Sequence, residues 1–275
     1  MTKKGYIGIF DSGYGGLTVF KEILKELPEY NYIYLGDNAR APYGSRSFQT
    51  VYHFTKECVQ LLFKQECPLI ILACNTASAK ALRTIQQIDL PQIAPQNRVL
   101  GVIRPTAEVI GQYTTSGHIG IFATEGTVQS KSYLIEINKF FPNLKVIQEA
   151  CPMWVPLIEN NEHLSIGANY FVQKHIHQLF QKDPQIDTIL LGCTHYPLLL
   201  PKLKQFIPPN IQIISQGNIV AKSLRKYLNT HPEIEWRLGK NQERIFYTTI
   251  ESEWFNEKAA LFFGEKIQAI QIHQA

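Results

Sequence analysis

The feature that most constrains this chain is an alternation of short apolar runs, each ending in a polar turn, with amphipathic helical stretches. "YIGIF" runs into Asp11-Ser12-Gly13, and the helical "LTVFKEILKELP" follows and stops at Pro28. "YNYIYLGD" is the next strand-like run. "SFQTVYHFTKECVQLLFKQECP" then sets Val51, Phe54, Cys58, Leu61 and Leu62 on one helical face. "PLIILACNTAS" reads as a buried strand with its turn, and "SAKALRTIQQ" as a helix. Strands alternating with helices predict an α/β fold with a mainly parallel sheet. Ligands of such folds bind beyond the carboxyl ends of the strands, where Asp11 and Cys74 both stand.

The pattern occurs twice. "IGIF" stands at 7–10 and again at 119–122, and downstream of each an apolar strand ends in a cysteine, "LIILACNTAS" and "TILLGCTHYP". The two IGIF copies are 112 residues apart and Cys74 and Cys193 are 119 apart, equal to within a loop insertion. We therefore expect two pseudo-symmetric α/β domains, each a mainly parallel sheet flanked by helices, with the active site in the cleft between them. A chain of 275 residues is long enough for two hydrophobic cores. The expected division is 1–98 with 213–275, the first domain completed by C-terminal helices in "AKSLRKYLN" and "AALFFGEKIQAIQ", and 99–212 as the second. Pro91–Asn97 reads as a linker.

Several function classes drop out. A net charge of +4 with no Lys/Arg stripe, zinc-finger spacing or aromatic RNP-like motif does not describe a nucleic-acid binder. No apolar run approaches the ~18–20 residues that span a bilayer. The start, "MTKKGYIGIFDSG", meets Asp11 too soon for a signal peptide, so a cytoplasmic protein is expected. Five cysteines, an odd number, suit reduced thiols rather than a disulfide framework. No metal-binding spacing is present, and His175 and His177, two apart on an expected helix, point apart; no metal is expected.

Cys74 and Cys193 carry the chemistry. Cys74 stands between a strand and Asn-Thr-Ala-Ser at an expected helix start; Cys193 lies two residues before His195. A thiol near a helix N-terminus or a cation becomes a usable base. Two thiols on opposite faces of one carbon can invert it, one taking the α-proton and the other returning a proton. Asp11 and Ser12 fit the same scheme, the carboxylate binding an ammonium group or assisting a thiol. "DSGYGG" is neither a dinucleotide fingerprint nor a P-loop. Ser12, Tyr43, Gly44, Asn75, Thr76 and Thr194 offer hydroxyls and N–H groups for carboxylates. Two other readings stay open: a cysteine hydrolase or transferase with Cys193 as nucleophile and His195 as base, and a non-catalytic amino-acid-binding protein. Cys58, Cys67 and Cys151 read as buried fillers, Asp11 also suits a helix cap, Tyr43-Gly44 an ordinary turn, and Glu159 a surface position.

"FDSGYGGLTV", "DNARAPYGSRS", "LACNTASAKALR", "CPMWVPLIE" and "LGCTHYPLL", in this order from Phe10 to Leu199, resemble the successive motifs of the cofactor-independent glutamate racemases. The aspartate racemases share the two-cysteine plan but are less similar elsewhere. The resemblance implies that Cys74 works on the D-enantiomer with Asp11 assisting, and Cys193 on the L-enantiomer with His195 assisting. It implies Glu159 as an active-site glutamate, and Asp11, Ser12, Tyr43, Gly44, Asn75, Thr76, Thr124, Thr194 and His195 as substrate contacts. It implies no pyridoxal phosphate, metal or nucleotide, a homodimer, and a role in supplying D-glutamate for peptidoglycan. Three places depart from the pattern: Thr106 for glycine, Ala123 for glycine, and Ser215-Gln216 for an aspartate-serine pair.

Overall fold

The computed structural model describes residues 5–272. Among the described residues, ten strands form two sheets. They are β1 (Ile7–Asp11), β2 (Tyr32–Gly36), β3 (Leu69–Leu72), β4 (Arg98–Gly101), β5 (His118–Ala123), β6 (Lys145–Ala150), β7 (Thr188–Gly192), β8 (Gln212–Ser215), β9 (Arg244–Thr248) and β10 (Ala269–Gln271). A six-stranded sheet has the order β10-β9-β2-β1-β3-β4, a four-stranded sheet the order β6-β5-β7-β8, and every pairing is parallel. β1 to β4 and β5 to β8 are therefore laid out alike. β1 and β5 carry the two IGIF copies, and β3 and β7 lead into the two cysteines. The repeat seen in the sequence is a repeat of topology.

All-parallel sheets are covered on both faces, so their inner strands are apolar throughout. β1, β2, β3 and β7 are buried at every position. Alternate residues then serve different cores. Ile7, Ile9, Leu69 and Ile71 join Ile189 and Leu191 of the other sheet in one central cluster. Phe10, Ile70 and Leu72 face a second cluster under the helix Phe48–Lys64, and Ile119, Ile121 and Leu190 face a third. The shared central cluster fixes the two sheets against each other.

The C-terminal part follows the sequence expectation only in part. Helix Gly217–Thr230 packs on helix Gly16–Glu26, as does helix Ser252–Phe263. The stretch "AALFFGEKIQAIQ" is not all helix: it stops at Phe263, with Gly264 in the left-handed region, and continues as β10. β9, unanticipated, inserts between β2 and β10. The expected linker Pro91–Asn97 is helical at its start, because Pro91 sits in the first turn of helix Leu90–Ile93, where its missing N–H is harmless. β4 is an edge of the first sheet and β8 an edge of the second. No helix of the described residues is long and apolar enough to cross a membrane.

Candidate active site

The carboxyl ends of β1, β3, β5 and β7 converge, and their turns carry most of the residues singled out from sequence. Asp11 ends β1 and is fully buried. Its Oδ1 accepts the Gly13 N–H at 2.9 Å, and its Oδ2 accepts the Thr194 hydroxyl, from the turn after β7, at 3.4 Å. Burial pushes the Asp11 carboxyl up, and Glu159 adds to this, against the pull of His195 and of the Gly16 and Gly13 N–H groups.

Cys74 follows β3 and is the N-cap of helix Asn75–Lys80: its sulfur accepts the Ala77 N–H at 3.4 Å. Its S–H reaches Ser12 Oγ at 3.5 Å. Burial, then the Asp11 charge, push this thiol up to about 12, despite the Ser12 and Ala77 bonds, and Cys193 pushes it further the same way. Cys74 is thus held as a thiol, in electrostatic contact with the second cysteine.

Cys193 follows β7 and leads into Thr194 and His195 before the turn Tyr196–Leu199. His195 is buried, with Nε2 2.9 Å from Glu159 Oε1 at the end of helix Trp154–Glu159. Burial alone pushes the imidazole down. Hydrogen bonds and charge from Cys193 and Glu159 outweigh it and hold His195 up to about 10, so it is a cation at neutral pH. Glu159, which the sequence alone would leave on the surface, is partly buried by this contact.

Gly15 explains the glycine run after Ser12. A Cβ there would overlap both His195 Nδ1 and Thr194 Oγ1, so only glycine lets the β1 turn lie against the β7 turn. Thr18 on the helix that follows donates to the Thr194 carbonyl at 2.8 Å.

A second set of contacts joins the turns of β3 and β5. Thr124 caps helix Glu125–Ser130, and its hydroxyl is 3.0 Å from that of Thr76. The Gly126 N–H donates to Gly44 O at 2.8 Å, bringing the Tyr43-Gly44 turn to the same place. Two predicted contacts spend their side chains internally. Tyr43 donates its phenol to buried Asp37, which also takes the Arg40 guanidinium at 2.7 Å. Asn75 bonds Gln216 at 2.9 Å and accepts from Tyr133 at 2.6 Å. Asp37, Tyr133, Gln216 and Gly15 were not nominated from sequence. Asp37 and Gly15 stood inside the quoted motifs, whereas nothing in sequence ties Gln216 or Tyr133 to Asn75.

The remaining cysteines do not stand at the converging strand ends, although the Cys193 charge reaches Cys151 and helps push its thiol up after burial and Glu149. Cys67 packs against Gly8, Cys58 accepts from Arg40 at 3.4 Å, and Cys151 reaches the Glu149 carbonyl; all three are buried. His175 is buried on Glu149 at 2.8 Å, while His177 is exposed, so the two do point apart.

The family model for Asp/Glu/hydantoin racemases matches residues 7–224. A glutamate racemase of Enterococcus faecalis is 38% identical over 275 residues, covering 99% of this chain and 97% of that protein. The chain belongs to the glutamate racemase family. The crystal structure of a glutamate racemase from Bacillus anthracis superposes with a TM-score of 0.87 at 35% identity, covering 98% of this chain and 97% of that one. One from Francisella tularensis, solved in complex with D-glutamate, gives a TM-score of 0.86 at 29% identity, covering 99% and 98%. In this family member, then, the paired sheets carry one cysteine each at equivalent strand ends, and the two thiols have unlike neighbours: a buried acid for Cys74, a buried cation for Cys193.

Proposed function

We propose that this chain interconverts L- and D-glutamate by passing the Cα proton between two thiols. The observation that supports this best is the pairing itself: Cys74 and Cys193 end topologically equivalent strands, in electrostatic contact, each with its own titratable partner. A single-nucleophile hydrolase has no use for the second thiol.

Starting from L-glutamate, the Cys193 sulfur removes the Cα proton and becomes a thiol, with cationic His195 offsetting the charge it carries as base. Cys74, held as a thiol, gives its proton to the opposite face and becomes a thiolate, releasing D-glutamate. The reverse reaction needs Cys74 without its proton; Asp11, its carboxyl pushed up by burial, is the acceptor at hand. Glu159 acts through His195, keeping it charged and oriented. The carbanion-like transition state requires donors at the substrate carboxylates; Ser12, Thr76, Thr124, Thr194 and the backbone of Tyr43-Gly44 and Asn75 are assigned to them.

With the family resemblance, this reading takes the protein as a cofactor-independent, cytoplasmic homodimer that supplies D-glutamate for peptidoglycan. It divides the chain into domains at 1–98 with 213–275 and 99–212, β4 and β8 lying across those limits.

The test is incubation with L-glutamate in D₂O without cofactor, following circular dichroism and α-deuteration. Racemisation and deuteration are expected, and Cys74→Ser and Cys193→Ser each abolish racemisation. Full turnover in Cys74→Ser would favour a single-nucleophile enzyme. Preference for L-aspartate over L-glutamate would reassign the substrate.

A further inference from the structure

Two departures from the family pattern noted in the sequence, Thr106 and Gln216, meet in the structure. Gln216 Nε2 lies 2.9 Å from Thr106 Oγ1, 2.7 Å from the Tyr133 hydroxyl and 3.2 Å from the Val102 carbonyl. Its Oε1 accepts from Asn75 Nδ2 at 2.9 Å. Tyr133 donates to Asn75 Oδ1 at 2.6 Å. Gln216, Tyr133 and Asn75 therefore close a ring: Gln216 to Tyr133, Tyr133 to Asn75, Asn75 to Gln216. Thr106, whose hydroxyl donates to the Val102 carbonyl at 3.1 Å, orients Gln216 from outside it. All four residues are buried. The Val102 carbonyl, which can only accept, sets the sense of the Gln216 amide, and the ring then passes that sense to the Tyr133 hydroxyl and the Asn75 amide.

What the ring touches gives it a role. Asn75 directly follows Cys74 and begins the helix that Cys74 caps. Tyr133 belongs to helix Ser132–Phe140 after β5, and its ring lies against Gly192, the residue before Cys193: a Cβ on Gly192 would come within 3.2 Å of it. Gln216 stands at the end of β8, ahead of helix Gly217–Thr230. One side chain, Tyr133, thus spans from the backbone beside one thiol to the side chain beside the other. Burial pushes the Tyr133 phenol up, against the pull of its bond from Gln216, and the Cys193 charge adds to the rise, so it stays a donor to Asn75.

We propose that Tyr133, Gln216 and Thr106 are positioning residues that set the placement of Cys74 relative to Cys193 through this closed hydrogen-bond ring. The inference rests on the two-thiol reading of the site. Satisfied buried polar networks hold one geometry rigidly, and a misplacement of about 1 Å at reacting groups can cost roughly 100-fold.

The test uses full-length Tyr133→Phe, which keeps the ring packed on Gly192 and removes the hydroxyl, with Gln216→Ser and Thr106→Gly made singly and together. Glutamate turnover in both directions is measured per folded molecule. In parallel, the native proteins are treated with dibromobimane, which bridges nearby thiols, and Cys74–Cys193 cross-links are mapped by peptide mass.

We expect Tyr133→Phe and Gln216→Ser to lower kcat by about tenfold, within that misplacement range, with KM little changed. The cross-link yield should fall severalfold. Thr106→Gly added to Gln216→Ser should cost little more, because both act through one bond. Folded variants with wild-type kcat and cross-link yield overturn the proposal, as does a wild type that forms no Cys74–Cys193 cross-link. If the wild type racemises neither glutamate enantiomer, the proposed reaction fails, and the ring is judged by the cross-link yields alone.

Discussion

The two sides of the candidate site are built alike and charged differently. β3 and β7 occupy equivalent places in their sheets and each ends in a cysteine. Past that point the symmetry stops. Cys74 caps a helix, touches Ser12, and lies beside a fully buried acid; Cys193 runs into a short turn and lies beside an imidazole held cationic by Glu159. The repeated topology sets where the thiols stand, and the unrepeated neighbours set how easily each one gains or loses a proton. On the proposed two-thiol reading, an enzyme acting on two mirror-image substrates would use two chemically unlike halves.

The hardest test of this comparison is the thiols themselves. Cys74→Ser and Cys193→Ser should each lower racemisation by on the order of 10³-fold or more, since a hydroxyl cannot replace either acid/base group; equal losses mark the two sides as equally necessary. Next come their partners. Asp11→Asn and His195→Asn should each cost roughly 100-fold in kcat/KM. The equilibrium constant between enantiomers is one, so kcat/KM must fall equally in both directions. The asymmetry should appear in kcat, with Asp11→Asn slowing D-glutamate more and His195→Asn slowing L-glutamate more in steady-state assays. Matching kcat losses in both variants would dissolve the distinction.

Stability offers a third probe. His195 is raised in the folded protein from 6.5 to about 10. Its contribution is fully present below about pH 6.5 and is lost as pH rises through about 10, by at most about 1.4 kcal/mol per pH unit. Urea midpoints should fall across that window and fall less in His195→Asn. Gly15→Ala tests how closely the two sides approach; forcing a methyl against Thr194 and His195 should cost about 1–3 kcal/mol in thermal or urea unfolding and lower activity. The smallest effect is expected for Cys151→Ala: about 1 kcal/mol of stability and unchanged racemisation, separating filler thiols from working ones.

Much of this was legible in the residues. The α/β alternation, the duplicated IGIF and cysteine motifs, and the strand-end positions of Asp11, Cys74 and Cys193 all follow from local patterns of period and turn. Less legible was what depended on distant partners. β9 and β10 were missed because β9 gains its place only by pairing beside the distant β2, and the short β10 only by pairing beside β9. Glu159 could be tied to the site only by resemblance, because its partner His195 lies 36 residues away. Thr106 and Gln216 read as isolated departures, and only their 2.9 Å contact makes them one device.

The sequence by itself determined the parallel α/β halves and the two cysteines, because hydrophobic period and turn chemistry are local properties of the chain. The tertiary structure decided the charge on each side of the candidate site. Whether Asp11 is pushed up, Cys74 held as a thiol and His195 kept cationic depends on burial and on groups brought from other strands, and neither is written in any short stretch of residues.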